Sequence, residues 1–289
     1  MNEYLISLTT IVAINAILAL SLNIITGFCG QVSLGHAAFY GIGAYAGALL
    51  ALNGAPFALA LAGAATAAAL IGLVVGLASL RVKHDFLAVV TMGVGFVFLG
   101  FVRKQKWLGG ELGLTGIPES GLSALGNMLF VVTAAVLVLA FCLYLRRSWM
   151  GVAFDAIAKD DDAAATLAID VARFKLAAFG IGTALAGFAG GFYVYFARSI
   201  LPDTFGFLAS IMVLATVVIG GLGSVLGVTL AAVLLTLLPE WFRVVNEYRL
   251  LVFGAVLILV MLFVPRGLGG VIDDAIRRLA ALHGRATRS

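Results

Sequence analysis

Nine apolar runs dominate this chain: 5–25, 31–52, 57–80, 86–102, 123–145, 176–197, 206–221, 223–238 and 249–264. A helix of about 20 apolar residues crosses the hydrocarbon core of a bilayer. Lipid offers no partner to a free backbone amide, so each run must satisfy its own hydrogen bonds as helix. The expected fold is an all-α polytopic membrane bundle of eight or nine transmembrane segments. The runs 206–221 and 223–238 are short and meet at Gly220, Gly221 and Gly223. They read either as two spans or as a broken pair that dips in and returns.

Composition agrees. Hydrophobic residues make up 63% of the 289 residues and charged residues 11%, with a mean hydropathy of +1.14. A soluble domain carries about 25% charge because its outer shell must be polar. A soluble enzyme, a nucleic-acid-binding domain and a disordered chain are excluded. An outer-membrane barrel would alternate polar and apolar positions instead. Cys29 and Cys142 sit in apolar surroundings and read as small packing residues. No basic residue precedes Arg81, so the first run lacks the cationic start of a cleavable signal and reads as a retained span.

Basic residues set the orientation. If the polar segment 146–175 faces the cytoplasm, twelve Lys and Arg lie inside and six outside. That places the N-terminus outside and the C-terminus inside, with Arg103, Lys104 and Lys106 as a minority cluster on the wrong side. Paired glycines (Gly43/Gly47, Gly72/Gly76, Gly187/Gly191, Gly223/Gly227) have the spacing that lets helix backbones approach closely.

Four polar stretches interrupt the apolar pattern. The first holds Gly30, Gln31, Ser33, Gly35 and His36. An unwound segment at membrane depth lines a cavity or packs inside protein. It reads equally as a pathway whose helix start greets a carboxylate and as a short loop; His36 alone reads as a packing residue. The second, 146–175, has Phe154 and Ile157 one turn apart. In it Asp160, Asp161 and Asp162 are placed to cap a short helix over 163–169. Beside Asp155, the small face of Ala163, Ala164, Leu167 and Ala168 suits a groove of another protein; a solvated loop under the bundle fits equally. The third, 108–118, is a glycine-rich outer turn without the lysine of a phosphate loop. The fourth, 267–289, reads as an amphipathic helix on the inner membrane surface.

No zinc motif, no Walker lysine and no Gly-x-Ser-x-Gly elbow is present, so no metal site and no catalytic residue is expected. Acids within the spans are too sparse for a proton relay. A pump of this kind would need an external engine.

Several motifs then carry a resemblance. Leu20-Ser21-Leu22-Asn23, Gly30-Gln31-Val32-Ser33-Leu34-Gly35-His36, Gly113-Leu114-Thr115-Gly116-Ile117-Pro118 and Arg173-Phe174-Lys175 lie in the first two thirds of the chain. Val218-Ile219-Gly220-Gly221-Leu222-Gly223-Ser224 and Val264-Pro265-Arg266-Gly267 follow. Together they resemble, in order, the permeases of branched-chain amino-acid ABC importers, of the LivM type. The resemblance implies one transmembrane permease domain over 1–289, without its own ATPase site or bound cofactor, in the bacterial inner membrane. The expected partners are a LivH-like second permease, two cytoplasmic ATPases that use the ATP, and a periplasmic substrate-binding protein. No nucleic acid is involved, and lipid surrounds the chain. Residues 146–175 would be the coupling loop, with Asp162, Ala163, Ala164 and Ala168 on the family's Glu-Ala-Ala-x-x-x-Gly core. Ala168 in the glycine position is expected to resist a left-handed turn. Gly30, Gln31, Ser33, Gly35, His36, Gly220, Gly221, Gly223 and Ser224 would line the translocation pathway. Aliphatic amino acids are the expected cargo. Urea, short amides or aromatic acids, carried by permeases of the same type, are the alternative, and a channel or scaffold that does not pump is a third reading.

Overall fold

The computed structural model describes residues 3–80, 84–241, 254, 258, 262 and 267–270. Most of the run 249–264, the tail 271–289, Arg81 and Lys83 lie outside the described residues. Ten α-helices form among those described. The first, α1 (Glu3–Leu22), continues into a buried π-helical turn, Asn23–Phe28. Residues 29–35 are then non-helical, so the second apolar run yields only a 17-residue helix, α2 (His36–Leu52). Next come α3 (Phe57–Ser79), α4 (His84–Lys104) and α5 (Ala124–Arg147). Two short helices, α6 (Trp149–Lys159) and α7 (Asp161–Thr166), lead into α8 (Val171–Ala197). Finally α9 (Phe207–Gly220) and α10 (Val225–Trp241) fold against each other about Gly221 and Gly223, both at positive φ.

Among the described residues six helical stretches are long and apolar enough to cross a membrane, counting α1 with its π turn and α9 with the 3-10 turn Pro202–Phe205 before it; α2 and the stretch Val225–Leu238 are shorter apolar helices. The short runs 206–221 and 223–238 are therefore two separate helices in a tight hairpin. Local chemistry fixes the helix starts. Ser123 and Ser148 accept the amides of Gly126 and Gly151, and Asp170 accepts that of Arg173, each relieving an orphan donor of a first turn.

The centre of the bundle is α8, 61% buried over its apolar window against 22% for α4. It is wrapped by α1, α2 and α3. Glycines make that possible: a Cβ on Gly43 would lie 2.2 Å from the Cα of Gly187, so the backbones of α2 and α8 touch. The paired glycines therefore serve packing within this chain. At the other side of the bundle Asn15 Nδ2 donates to Thr236 Oγ1 at 3.1 Å, tying α1 to α10.

The glycine-rich turn 108–118 is ordered. Its residues Leu114–Thr115 pair antiparallel with Ser199–Ile200 at the exit of α8. Arg103 forms an ion pair with Asp203 nearby, which neutralises part of the minority basic cluster.

Candidate functional site

The two glycine-broken segments meet. The amide of Gly223 donates to Asn23 Oδ1 at 3.0 Å, joining the π turn to the α9–α10 hairpin. Gly27 lies in that junction: a Cβ there would fall 2.0 Å from Asn23 Oδ1 and 2.4 Å from the Gly223 nitrogen. A π turn packs one more residue into the helix and is commonly kept where function needs it. The hairpin side is closed by Gly267 and Gly269, which abut Gly221 and Ser224. Ser224 caps α10, its Oγ accepting the amide of Gly227 at 3.2 Å.

The same junction reaches the polar loop. Gln31 is buried, and its Nε2 donates to the carbonyl of Lys175 at 3.1 Å. Lys175 in turn forms an ion pair with Asp161, the first residue of α7. Gly30, at φ 73°, lies against α6, where a Cβ would stand 3.0 Å from the Cα of Ala158. A cleft of about 350 Å³ opens between Gly27 and Phe28 of the π turn, Arg146 at the end of α5, Asp155 on α6, and Gly223 of the hairpin. Loop and breaks thus form one bonded unit, with a polar cleft between them.

Ser33, Gly35 and His36 go elsewhere. They are buried where α2 starts, against α1, α4 and α9. Thr91 Oγ1 accepts the amide of Leu34, and Ser210 Oγ accepts that of Ala37, each at 3.0 Å. The amide of Ala38 bonds to Gly35 O. This corrects the reading in which the helix start greets a carboxylate: the helix begins at His36, and the amides of Ala37 and Ala38 are spent inside the bundle. His36 Nε2 lies 2.7 Å from Ser21 Oγ, whose proton goes to the carbonyl of Leu18 at 2.6 Å. His36 therefore donates from Nε2, and its Nδ1 is a bare acceptor without a partner among the described residues.

The polar loop also departs from expectation. Asp160 alone caps α7, its Oδ1 accepting the amides of Asp162 and Ala163 at 3.0 Å each; Asp162 lies exposed in the first turn. The helix ends at Thr166, short of Ile169. Ala168 adopts φ 61° although it is not glycine, so the left-handed turn forms with alanine in place. Ala164, expected on a docking face, is 2% exposed and packs inward, while Leu167 is 72% exposed. Phe154 and Ile157 are also buried, Phe154 meeting Phe174 edge-on at 6.0 Å. Leu167 is exposed as expected of the docking face, and on α6 Trp149 and Val152 are exposed together with Asp155 and Lys159.

Asn23, Ser21, Thr91 and Ser210 were not singled out as site residues. Ser21 and Asn23 fall in the Leu20–Asn23 motif quoted above, while Thr91 and Ser210 show in the sequence only as polar side chains inside apolar runs.

The sequence profile of the family described as branched-chain amino acid transport system / permease component matches residues 4–261. The high-affinity branched-chain amino acid transport permease LivM of Salmonella typhimurium is 36% identical, over 91% of this chain and 69% of its own length. BraD of Pseudomonas aeruginosa, a permease of the same description, is 26% identical over 93% of this chain and 95% of its own. LivH of Escherichia coli is 31% identical over 53% of this chain and 49% of its own. No solved structure matches the chain.

Proposed function

This chain belongs to the branched-chain amino acid transport permeases, LivM type, and from that premise we propose that it is one membrane half of an ATP-driven importer of aliphatic amino acids. It spans the membrane, and the proposed setting is a bacterial inner membrane with the N-terminus outside and α6–α7 in the cytoplasm. The proposed partners are a LivH-like second permease, two ATPases seated against α6–α7, and a periplasmic binding protein that delivers the cargo. Similarity to both LivM and LivH supports a two-permease assembly. ATP is consumed by the partners, and this chain supplies no cofactor site of its own.

One observation carries the reading. The exposed loop is bonded directly to the buried breaks, through Asp161, Lys175 and Gln31 and through the Gly30–α6 contact. A push on α6 or α7 therefore acts on the π turn and, by way of Asn23, on the α9–α10 hairpin. Positive-φ glycines at 221 and 223 give that hairpin a hinge. Rigid helices rocking about such breaks are a recognised form of alternating access. The exposed apolar side chains Trp149, Val152 and Leu167 are the proposed foothold for the ATPase.

The test is leucine uptake into liposomes holding both permeases, with binding protein supplied. Uptake is expected only when the ATPases and ATP are on the loop side. Equal uptake without them would leave a channel as the better description.

A further inference from the structure

At the end of the bundle where α1, α3 and α5 begin and α8 ends, a cavity of about 420 Å³ opens beside the loop that precedes α5. This is the far end from the polar cleft, since Asn127 in the first turn of α5 lines the one and Arg146 in its last turn lines the other. One wall is apolar and rigid. Phe57 meets Tyr195 edge-on at 4.7 Å and Phe192 at 6.4 Å, and Val131 continues the surface. Interlocked rings of this kind hold a fixed face.

The mouth is charged. Arg198 and Glu119 both line the cavity and pair at 2.8 Å, Nη1 to Oε1. Arg198 is set by its backbone: it closes α8 in a left-handed conformation, φ 54°, with its amide on Val194 O at 2.9 Å. Its neighbour Ser199 is held in the two-stranded ribbon. A non-glycine residue keeps such a conformation only where its surroundings impose it. Asn127 Oδ1 accepts the hydroxyl of Ser120 at 2.6 Å, which leaves its amide nitrogen as a donor without a partner among the described residues.

The geometry points to a reception site for a zwitterionic aliphatic α-amino acid. An arginine has five N–H donors and the Glu119 contact uses one, so the guanidinium still faces a carboxylate with a fork to spare. The second oxygen of Glu119 accepts an ammonium group. A zwitterion joins the pair as a four-charge ring and lays its side chain on the Phe57–Phe192 wall. The volume falls within the roughly 300–1,000 Å³ usual for small-molecule sites. The inference deepens the permease reading and rests on it.

The experiment is equilibrium binding of radiolabelled leucine to the complete transporter in detergent, with parallel uptake in liposomes. Wild type should show one saturable site, competed poorly by 4-methylpentanoate and by 3-methylbutylamine, each of which lacks one charge. Arg198→Gln and Glu119→Gln should each weaken binding at least about tenfold, and Arg198→Lys should retain most of it. The exchanged pair Glu119→Arg/Arg198→Glu is the control. A purely structural ion pair would be restored by it; a reception site stays weak because the ligand's charges then meet the wrong partners. Unchanged binding in the Gln variants, with leucine uptake intact, overturns the site and spares the permease reading. Absence of both binding and uptake in wild type overturns the two together.

Discussion

Asn23 and Gly223, 200 residues apart in sequence, are joined by a 3.0 Å hydrogen bond from the glycine amide to the asparagine Oδ1. Beside the Asn15–Thr236 bond farther along α1, it ties the π turn that follows α1 to the hairpin of α9 and α10. Gly27 makes room for it, because no side chain fits between Asn23 and Gly223. The bond gives the account a mechanical link: whatever shifts the π turn shifts the hairpin.

Asn23→Ala removes that acceptor and leaves the Gly223 amide without it. Gly223 is half-buried and lines the cleft, so losing this bond costs about 0.5–1.5 kcal/mol, the net worth of a typical hydrogen bond. The expected outcome is a lower melting temperature of the detergent-solubilised protein and a loss of leucine uptake greater than the loss of folded protein. Uptake per folded molecule at the wild-type level would remove the link from the mechanism.

Leu167→Glu and Ala164→Glu separate docking from packing. Leu167 is exposed, so a charge there should leave the melting curve unchanged and abolish association with the ATPases. Ala164 is enclosed, and an unpaired carboxylate in its place should destabilise the loop by several kcal/mol. Binding of the ATPases to both variants, followed by co-purification, checks the contrast; equal association of Leu167→Glu and wild type would move the contact elsewhere.

Ala168→Gly should stabilise. A left-handed residue with a Cβ costs about 1–2 kcal/mol, and glycine avoids that cost at some expense in unfolded-state entropy. Slower proteolytic cleavage between α7 and α8 is the expected reading, with transport retained. Faster cleavage would mean that the turn is not strained by alanine.

Gly43→Ala and Gly93→Ala form a matched pair within helices. The first sets a methyl 2.2 Å from the Gly187 backbone and should prevent the fold or force α2 away from α8. The second meets nothing within 4 Å. It should be neutral or stabilise by up to about 1 kcal/mol through helix propensity. Detergent melting curves for the two variants decide the matter.

The helices were legible because lipid forces each long apolar run into one. The boundary at His36 was less so, because Gln31 and Ser33 mark an interruption without fixing where it ends; Gly35 must sit against the carbonyl of Thr91, where a Cβ would be 1.8 Å away. Which loop residues faced inward was not legible either. Apolar spacing at Phe154, Ile157 and Ala164 marks a sticky face without saying whether it meets this chain or another, and here it meets this chain. The long-range bonds of Asn23, Ser21, Thr91 and Ser210 join residues 15 to 200 positions apart, and no local pattern announces such partners. The glycine clusters were readable as breaks, but only the fold brings them within bonding distance of each other.

The account depends on α6–α7 being the side on which the ATPases act. Leu167→Cys tests this directly, because the two native cysteines, Cys29 and Cys142, are buried and leave the introduced thiol as the reactive one. A membrane-impermeant maleimide should label it in inside-out vesicles, not in right-side-out ones, and bound ATPase should protect it. Labelling from the outer face would contradict the orientation and the coupling built upon it.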